Sequence, residues 1–287
     1  MKEIAVISGK GGTGKSSFVL SLLPYLKECI IADCDVDAPD LKVLLGEDIK
    51  ETIDFYAFEI PVFNEDLCIK CGKCVQHCNF NAITEDIKLK DGACEGCKAC
   101  EFVCPTGAIT MVKHQNGHLY TRDTLYGPMV DAKLFPGEES SGKLVSAVRT
   151  KSQELAKTHK LDNIIIDGSP GVACNVISTI TGVDKVYIVT EPSVSGLHDF
   201  KRVIDLIHIF NTEVEVVINK SGINPDQEQK IVNFCASLGL TIALKIPFTR
   251  DIPESIARLE IPSLSDIDFF KSSEWVGFIE NFIAYLN

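Results

Sequence analysis

Near the start of the chain, between an apolar run and a helical pattern, stands Gly9-Lys10-Gly11-Gly12-Thr13-Gly14-Lys15-Ser16, a match to G-x-x-x-x-G-K-[ST]. The run before it, Glu3–Ser8, is apolar and β-branched, and Lys15–Lys27 after it reads as a helix. Strand, glycine loop and helix in that order form a unit whose backbone N–H groups curl round phosphate oxygens at a helix N-terminus. Gly11, Gly12, Thr13 and Gly14 supply the loop, Lys15 reaches the β and γ phosphates, and Ser16 can ligate Mg²⁺, with Ser17 counted in the same nucleotide-binding set. Further short apolar runs at Cys29–Ala32, Asn163–Ile166, Val186–Val189 and Val214–Ile218 alternate with the helical patterns Leu197–Phe210 and Gln227–Leu238. The expected fold class is α/β, a doubly wound, mostly parallel sheet with helices on both faces.

One connection is far too long for such a sheet. Asp33 and Asp167 close two of the strands and lie 167 − 33 = 134 positions apart, so something is inserted between them. The inserted stretch repeats itself: Cys68, Cys71, Cys74 and Cys78 recur as Cys94, Cys97, Cys100 and Cys104, and Asn81-Ala82-Ile83-Thr84 recurs as Gly107-Ala108-Ile109-Thr110, at an offset of 94 − 68 = 26. Three cysteines at successive two-residue spacings suit three corners of an iron–sulfur cubane, whereas zinc sites pair two separated Cys-x₂-Cys arms. The doubled Cys-x₂-Cys-x₂-Cys-x₃-Cys run resembles the bacterial two-cluster ferredoxins. That resemblance implies two [4Fe–4S] clusters with crossed ligation, one on Cys68, Cys71, Cys74 and Cys104, the other on Cys94, Cys97, Cys100 and Cys78. Pro105 follows Cys104 as in that family, but Asn79 follows Cys78. The expected domains are an inserted α+β ferredoxin-like domain at 61–112 and a discontinuous nucleotide-binding domain at 1–60 and 113–287. Gly117–Phe135 reads as a hairpin or meander, and Glu138–His159 as a helix leading back to the sheet.

The charge balance of 28 basic against 40 acidic residues, a formal −12, disfavours nucleic acid and anionic lipid as partners. With no secretory leader pattern and no apolar run near the roughly 20 residues of a membrane span, a cytoplasmic location is expected. In that compartment thiols stay reduced, and the clustered cysteines read as metal ligands. Cys29, Cys34 and Cys235 read as small apolar residues, and Cys174 stands apart because it follows Asp167 by seven positions. The C-terminal stretch Ser272–Asn287 is amphipathic but holds no Lys or Arg, so it is expected to dock on the sheet domain rather than bind membrane. Gly137–Lys143 repeats the phosphate-loop spacing, yet Leu144 stands where the metal-binding hydroxyl belongs. Glu138-Glu139 there read instead as acids of a first helical turn.

Lys10-Gly11-Gly12-Thr13-Gly14-Lys15-Ser16 resembles the deviant Walker A motif of the MinD/ParA and nitrogenase iron protein superfamily. The resemblance implies that Lys10 reaches across a dimer interface to the partner's nucleotide, and a cation supplied in trans couples assembly to hydrolysis. Asp33-Cys34-Asp35 falls where that superfamily carries its first switch, with Asp35 in the place of the carboxylate that orients the attacking water; Asp37 and Asp40 compete for the role. Asp167-Gly168-Ser169-Pro170-Gly171 matches the Walker B strand and second switch, which implies that Asp167 holds Mg²⁺ through water. Asn219-Lys220 follows a strand as in the base-reading turn of GTPases, but Gly222 replaces the acid that accepts from guanine. Adenine is favoured, with Asn219 on its edge and Ile246-Pro247-Phe248 covering the ring. Thr190–Leu197 and Pro136–Glu139 also look like that group.

As a whole the chain resembles MinD-superfamily P-loop ATPases with an inserted two-cluster ferredoxin domain. The implied activity is slow ATP hydrolysis by Lys10, Lys15 and Asp35 in a nucleotide-dependent homodimer, or a heterodimer with a paralogue, coupled to electron transfer toward a redox protein. Two other readings stand beside it: an iron–sulfur assembly or carrier ATPase, and an electron carrier in which nucleotide is structural.

Overall fold

A computed structural model describes residues 1–36, 38–46, 48–138, 141–210 and 212–287. They form two compact units, Met1–Thr52, Leu119–Lys133 and Ser141–Asn287 in one, Ile53–His118 and Leu134–Ser140 in the other. The first half of the chain builds β1 (Lys2–Ser8), α1 (Lys15–Leu22), β2 (Ile30–Asp33), α2 (Leu41–Leu45), β3 (Ile49–Phe55), β4 (Phe58–Phe63), α3 (Lys73–Gln76), α4 (Ala99–Phe102) and β5 (Ile109–His114). Then follow β6 (Gly117–Thr124), β7 (Gly127–Leu134), α5 (Ser141–His159), β8 (Asn163–Pro170), α6 (Cys174–Ile180), β9 (Lys185–Thr190) and α7 (Val194–Ile207). The last part is β10 (Glu213–Ser221), α8 (Pro225–Ser237), β11 (Thr241–Pro247), α9 (Asp251–Ala257) and α10 (Ser273–Leu286).

Among the described residues, nine strands bond in the order β11-β10-β9-β1-β8-β2-β7-β6-β3. From β11 to β7 every recorded pairing is parallel, as runs such as Ile4–Ile7 and Ile164–Ile166, buried on both faces, require. The expected meander is β6 and β7, which carry the sheet outward from β2. Because β1 lies between β8 and β9, strand order reverses there, and a crevice opens past the strand ends where open α/β sheets take ligands. Helix α1 stops at Leu22, short of the expected Lys27, and a 3₁₀ turn with Pro24 near its start follows. Proline has no N–H to continue the ladder and its ring crowds the preceding turn.

The C-terminal helix docks on the sheet unit as expected. Trp275, Phe278, Ile279 and Phe282 are its buried positions, and its rings pack into the core edge-on or tilted: Trp275 lies 4.8 Å from Phe270, Phe278 5.7 Å from Phe18, and Phe282 5.7 Å from Tyr187, centroid to centroid. Leu144 is fully buried on α5, so the second G-x-x-x-x-G-K spacing serves helix packing. Glu138 precedes α5 and accepts hydrogen bonds from His114 Nε2 and Asn116 Nδ2, while Glu139 lies outside the described residues.

In the second unit β4 and β5 pair antiparallel, Phe63 opposite Ile109. The short helices α3 and α4 fall 99 − 73 = 26 residues apart, the period of the cysteine repeat. Cys74, Cys100, Ile83 and Ile109 form its small core, with Phe63, Val75, Ile87 and Met111 packed on them. The unit takes in the cysteine-bearing stretch and runs on through residues 53–60, 113–118 and 134–140.

Candidate functional site

The loop after β1 borders a cavity of about 410 Å³ lined by Ser8, Gly11, Gly12, Thr13, Gly14, Lys15, Ser16, Ser17, Asp35, Ala38, Asp40 and Pro170, a size that suits a small ligand. Gly12 and Gly14 take φ of +78° and +92°, left-handed values that disfavour a side chain. A β-carbon on Gly14 would also stand 2.1 Å from Asn219 Nδ2. The Thr13 hydroxyl is buried in this loop without a protein partner, an orphan polar atom that a bound oxygen would satisfy. A larger cavity of about 560 Å³ is rimmed by Asp251, Glu260 and Asp266 against Arg258 alone, a charge balance that opposes polyphosphate.

Lys15 ties the site together. Its ammonium meets Asp167 Oδ1 at 2.6 Å, Asp35 Oδ2 at 3.4 Å and donates to Ser16 Oγ at 3.2 Å. Burial works against its charge, but Asp167 and Asp35, with Asp33 beyond them, outweigh that and hold its pKa above the ordinary lysine range. Asp33 sits opposite Asp167 across β2 and β8. Burial first, then the neighbouring Asp167, push the Asp33 carboxyl well above its usual range, against the pull of Lys15 and two backbone donors. Those donors are the N–H groups of Asp35 and Leu41 at 3.2 and 3.3 Å, so Asp33 anchors the segment that carries Asp35. The end of β8 is tied to the same segment: Cys34 N–H donates to Asp167 O and Ser169 Oγ to Cys34 O. Asp40 lines the cavity just before α2; Asp37 lies outside the described residues.

Lys10 turns elsewhere. It pairs with Glu191 Oε1 at 2.5 Å and donates to Ser195 Oγ at 2.9 Å. Glu191 also pairs with Lys220 at 2.6 Å, and Lys220 donates to Gly12 O. Burial raises the Glu191 carboxyl, yet Lys10 and Lys220 more than reverse this and leave it below the usual range. Asn219 donates to Thr13 O at 2.7 Å, which braces the loop from beneath. Pro247 pairs with Ser221 at the ends of β11 and β10, and exposed Phe248 follows it. Sequence reasoning assigned no role to Glu191, Lys220 or Asp33. The signals are a second acid two positions before Asp35, the Thr190–Leu197 segment that holds Glu191, and the Asn219-Lys220 turn, read there for the base rather than for Lys220.

The eight repeated cysteines line two cavities in the second unit. One is walled by Cys68, Cys71, Cys74 and Cys104 with Phe63, Ile69, Ile87 and Ile109. The other is walled by Cys78, Cys94, Cys97 and Cys100 with Pro61, Phe80, Ile83 and Met111. Each thus gathers three cysteines of one run and the fourth of the other. Among the described residues no three His, Cys, Asp or Glu side chains close on a single-ion position; the thiols stand round a cavity instead, as an all-thiolate cubane needs. Ala82 and Ala108 N–H groups donate to Cys78 and Cys104 Sγ, each at 3.3 Å. Burial raises the Cys104 thiol, but donors from Thr106, Ala108 and Gly107 outweigh it and lower its pKa. Cys29, Cys34 and Cys235 are buried, and Cys174 is exposed.

Comparison with known proteins bears on both units. The 4Fe-4S dicluster domain family matches residues 62–111. The uncharacterised protein MJ0578 of Methanocaldococcus jannaschii is 38% identical over 258 residues, 89% of this chain and 87% of its own length. Among solved structures, the Cyanothece McdA(D38A)–ATP complex aligns over 98% of this chain and 96% of its own with a TM-score of 0.61 at 16% identity. The septum site-determining protein MinD complexed with Mg-ADP from Pyrococcus horikoshii aligns over 97% and 93% with a TM-score of 0.54 at 17% identity. With a dicluster domain set inside the MinD/ParA fold and a relative 38% identical over most of both chains, the chain belongs to the family of MinD-like P-loop ATPases that carry an inserted iron–sulfur ferredoxin domain.

Proposed function

We propose that this chain is an ATP-dependent switch, closing as a dimer on ATP and reopening on hydrolysis, that governs electron transfer through its ferredoxin unit to a redox protein. The observation that carries the reading is the single lysine shared by two acids: Lys15 contacts both Asp35 and Asp167. The β and γ phosphates of ATP compete for that ammonium, so nucleotide arrival draws Lys15 away from both carboxylates in one event. Asp167 and the Ser16 hydroxyl are then placed to hold Mg²⁺, which supplies charge neutralisation at the phosphates. Asp35 accepts a proton from, or orients, the attacking water. Asn219 and Pro247, beside the loop at the ends of adjacent strands, are the proposed adenine contacts. Lys10 of each protomer completes the partner's site.

In the ferredoxin unit, Cys68, Cys71, Cys74 and Cys104 are the proposed ligands of one [4Fe–4S] cluster, and Cys94, Cys97, Cys100 and Cys78 of the other. The cysteine sets, their apolar walls and the N–H donors to sulfur support this assignment. Steady-state ATP hydrolysis by the wild type, Lys15→Ala and Asp35→Ala tests the switch. Turnover is expected to be lost in both variants, and equal rates in all three would defeat it. Repeating the assay with reduced and oxidised clusters tests coupling, which identical rates and identical dimer affinity would rule out.

A further inference from the structure

The two cysteine cavities are related by the 26-residue repeat but are not equivalent electrically. On this basis we infer that the site of Cys68, Cys71, Cys74 and Cys104 has the higher reduction potential, so that an electron entering the ferredoxin unit comes to rest there. The inference rests on the proposed ligation of two clusters by these eight thiolates.

Corresponding positions show the asymmetry. Each half holds two left-handed residues between its cysteines, Lys70 and Gly72 in the first, Gly96 and Lys98 in the second, with φ from +54° to +73°. Each half thus carries one lysine in a conformation that costs a side-chain-bearing residue energy. At Gly96 a β-carbon would stand 2.7 Å from Phe58 Cβ, which bars the second half from a counterpart of Lys70. The remaining positions break the balance: Lys73 corresponds to Ala99, and Ile69 corresponds to Glu95. Lys70 and Lys73 line the first cavity, Glu95 and Lys98 the second. Lys98 is neutralised by an ion pair with Glu59, whereas the salt bridges among the described residues include none to Lys70 or Lys73. The first cavity therefore faces two uncompensated positive charges and the second a negative one.

Hydrogen bonding points the same way. Both fourth cysteines accept a backbone N–H four residues on, at the same distance. Cys104 has in addition the Thr106 hydroxyl at 3.7 Å from its sulfur, and the residue in that place after Cys78 is Phe80. Reduction adds one electron to a site that is already anionic, so nearby cations and donors to sulfur favour the reduced state and an acid opposes it. All three differences favour reduction at the first site.

The test is a redox titration followed by electron paramagnetic resonance on anaerobically purified protein, with Lys70→Gln/Lys73→Gln, Thr106→Val and Glu95→Gln variants. Two reduction waves are expected, the upper favoured at least tenfold, about 59 mV for a one-electron couple. The lysine and threonine variants are expected to lower only the upper wave, and Glu95→Gln to raise only the lower. One unresolved wave, or a lysine variant that shifts the lower wave, overturns the inference. Iron is counted in each preparation. Far fewer than about eight irons per chain refutes the ligation reading, and with it this inference, whereas full loading with unordered potentials refutes the inference alone.

Discussion

The Lys10–Glu191 pair predicts a variant that dimerises better than the wild type. In the proposed dimer switch, Lys10 must leave Glu191 before it can reach the partner's nucleotide, and it meets Glu191 at 2.5 Å with side chains 29% and 12% exposed. Two unit charges about 4 Å apart interact by ~4 kcal/mol at an effective dielectric of about 20. Lys220 shares the same carboxylate and solvent reaches both partners, which reduces the net worth of one such pair to about 1 kcal/mol. In the proposed dimer two pairs would open when two protomers close, so roughly 2 kcal/mol would be withheld from it. Replacing Glu191 by Gln removes that opposition and should strengthen ATP-dependent dimerisation by about thirtyfold, since ~1.4 kcal/mol is a factor of ten. Sedimentation equilibrium with a non-hydrolysable ATP analogue measures it, with Lys10→Ala as the variant that fails to dimerise. Because Glu191 also steadies Lys220 on the loop, monomer affinity for nucleotide is measured in parallel and should stay within a few-fold. An E191Q dimer no tighter than wild type, at unchanged nucleotide affinity, refutes the idea that Glu191 restrains Lys10.

Gly14→Ala places a β-carbon at φ +92° and 2.1 Å from Asn219 Nδ2, which costs about 1–3 kcal/mol from the backbone alone; calorimetric titration should show ATP binding lost, and wild-type affinity would contradict the loop geometry. Phe282→Ala empties a site that is 1% exposed and should destabilise the sheet unit by about 3–5 kcal/mol in urea unfolding, whereas a loss under ~1 kcal/mol would mean that the terminal helix is not part of that core. Burial raises both Glu191 and Glu228, but Lys10 and Lys220 at the first, and Lys245 with the Gly222 N–H and the Ser221 hydroxyl at the second, outweigh it and hold both below the ordinary carboxyl range. A lowered carboxyl stabilises the fold above its unfolded pKa and loses that contribution as pH falls through the folded one, so urea midpoints should decline below about pH 4.5 and decline less steeply in E191Q and E228Q.

Much of this was legible because local chemistry and global fold agree. A glycine loop between a buried strand and a helix admits few architectures, and a 26-residue repeat of cysteines declares its own duplication. The crossing of the fourth cysteines came from resemblance, and the cavity walls show the same grouping. What the sequence hides are contacts made across the sheet by residues with no motif. Glu191 is 181 positions from Lys10, and nothing in Thr190–Leu197 marks it as the acid that receives that lysine. Asn219 shows the reverse: a turn-forming residue whose place after a strand pointed to the base proves to have its amide donor on the Thr13 carbonyl. That bond commits one Nδ2 hydrogen and leaves the amide oxygen free to accept, so the same side chain can brace the phosphate loop and still present an acceptor to an adenine amino group. On the proposed adenine contact, the loop and the base would share one residue, which would link phosphate geometry to base recognition through a single amide.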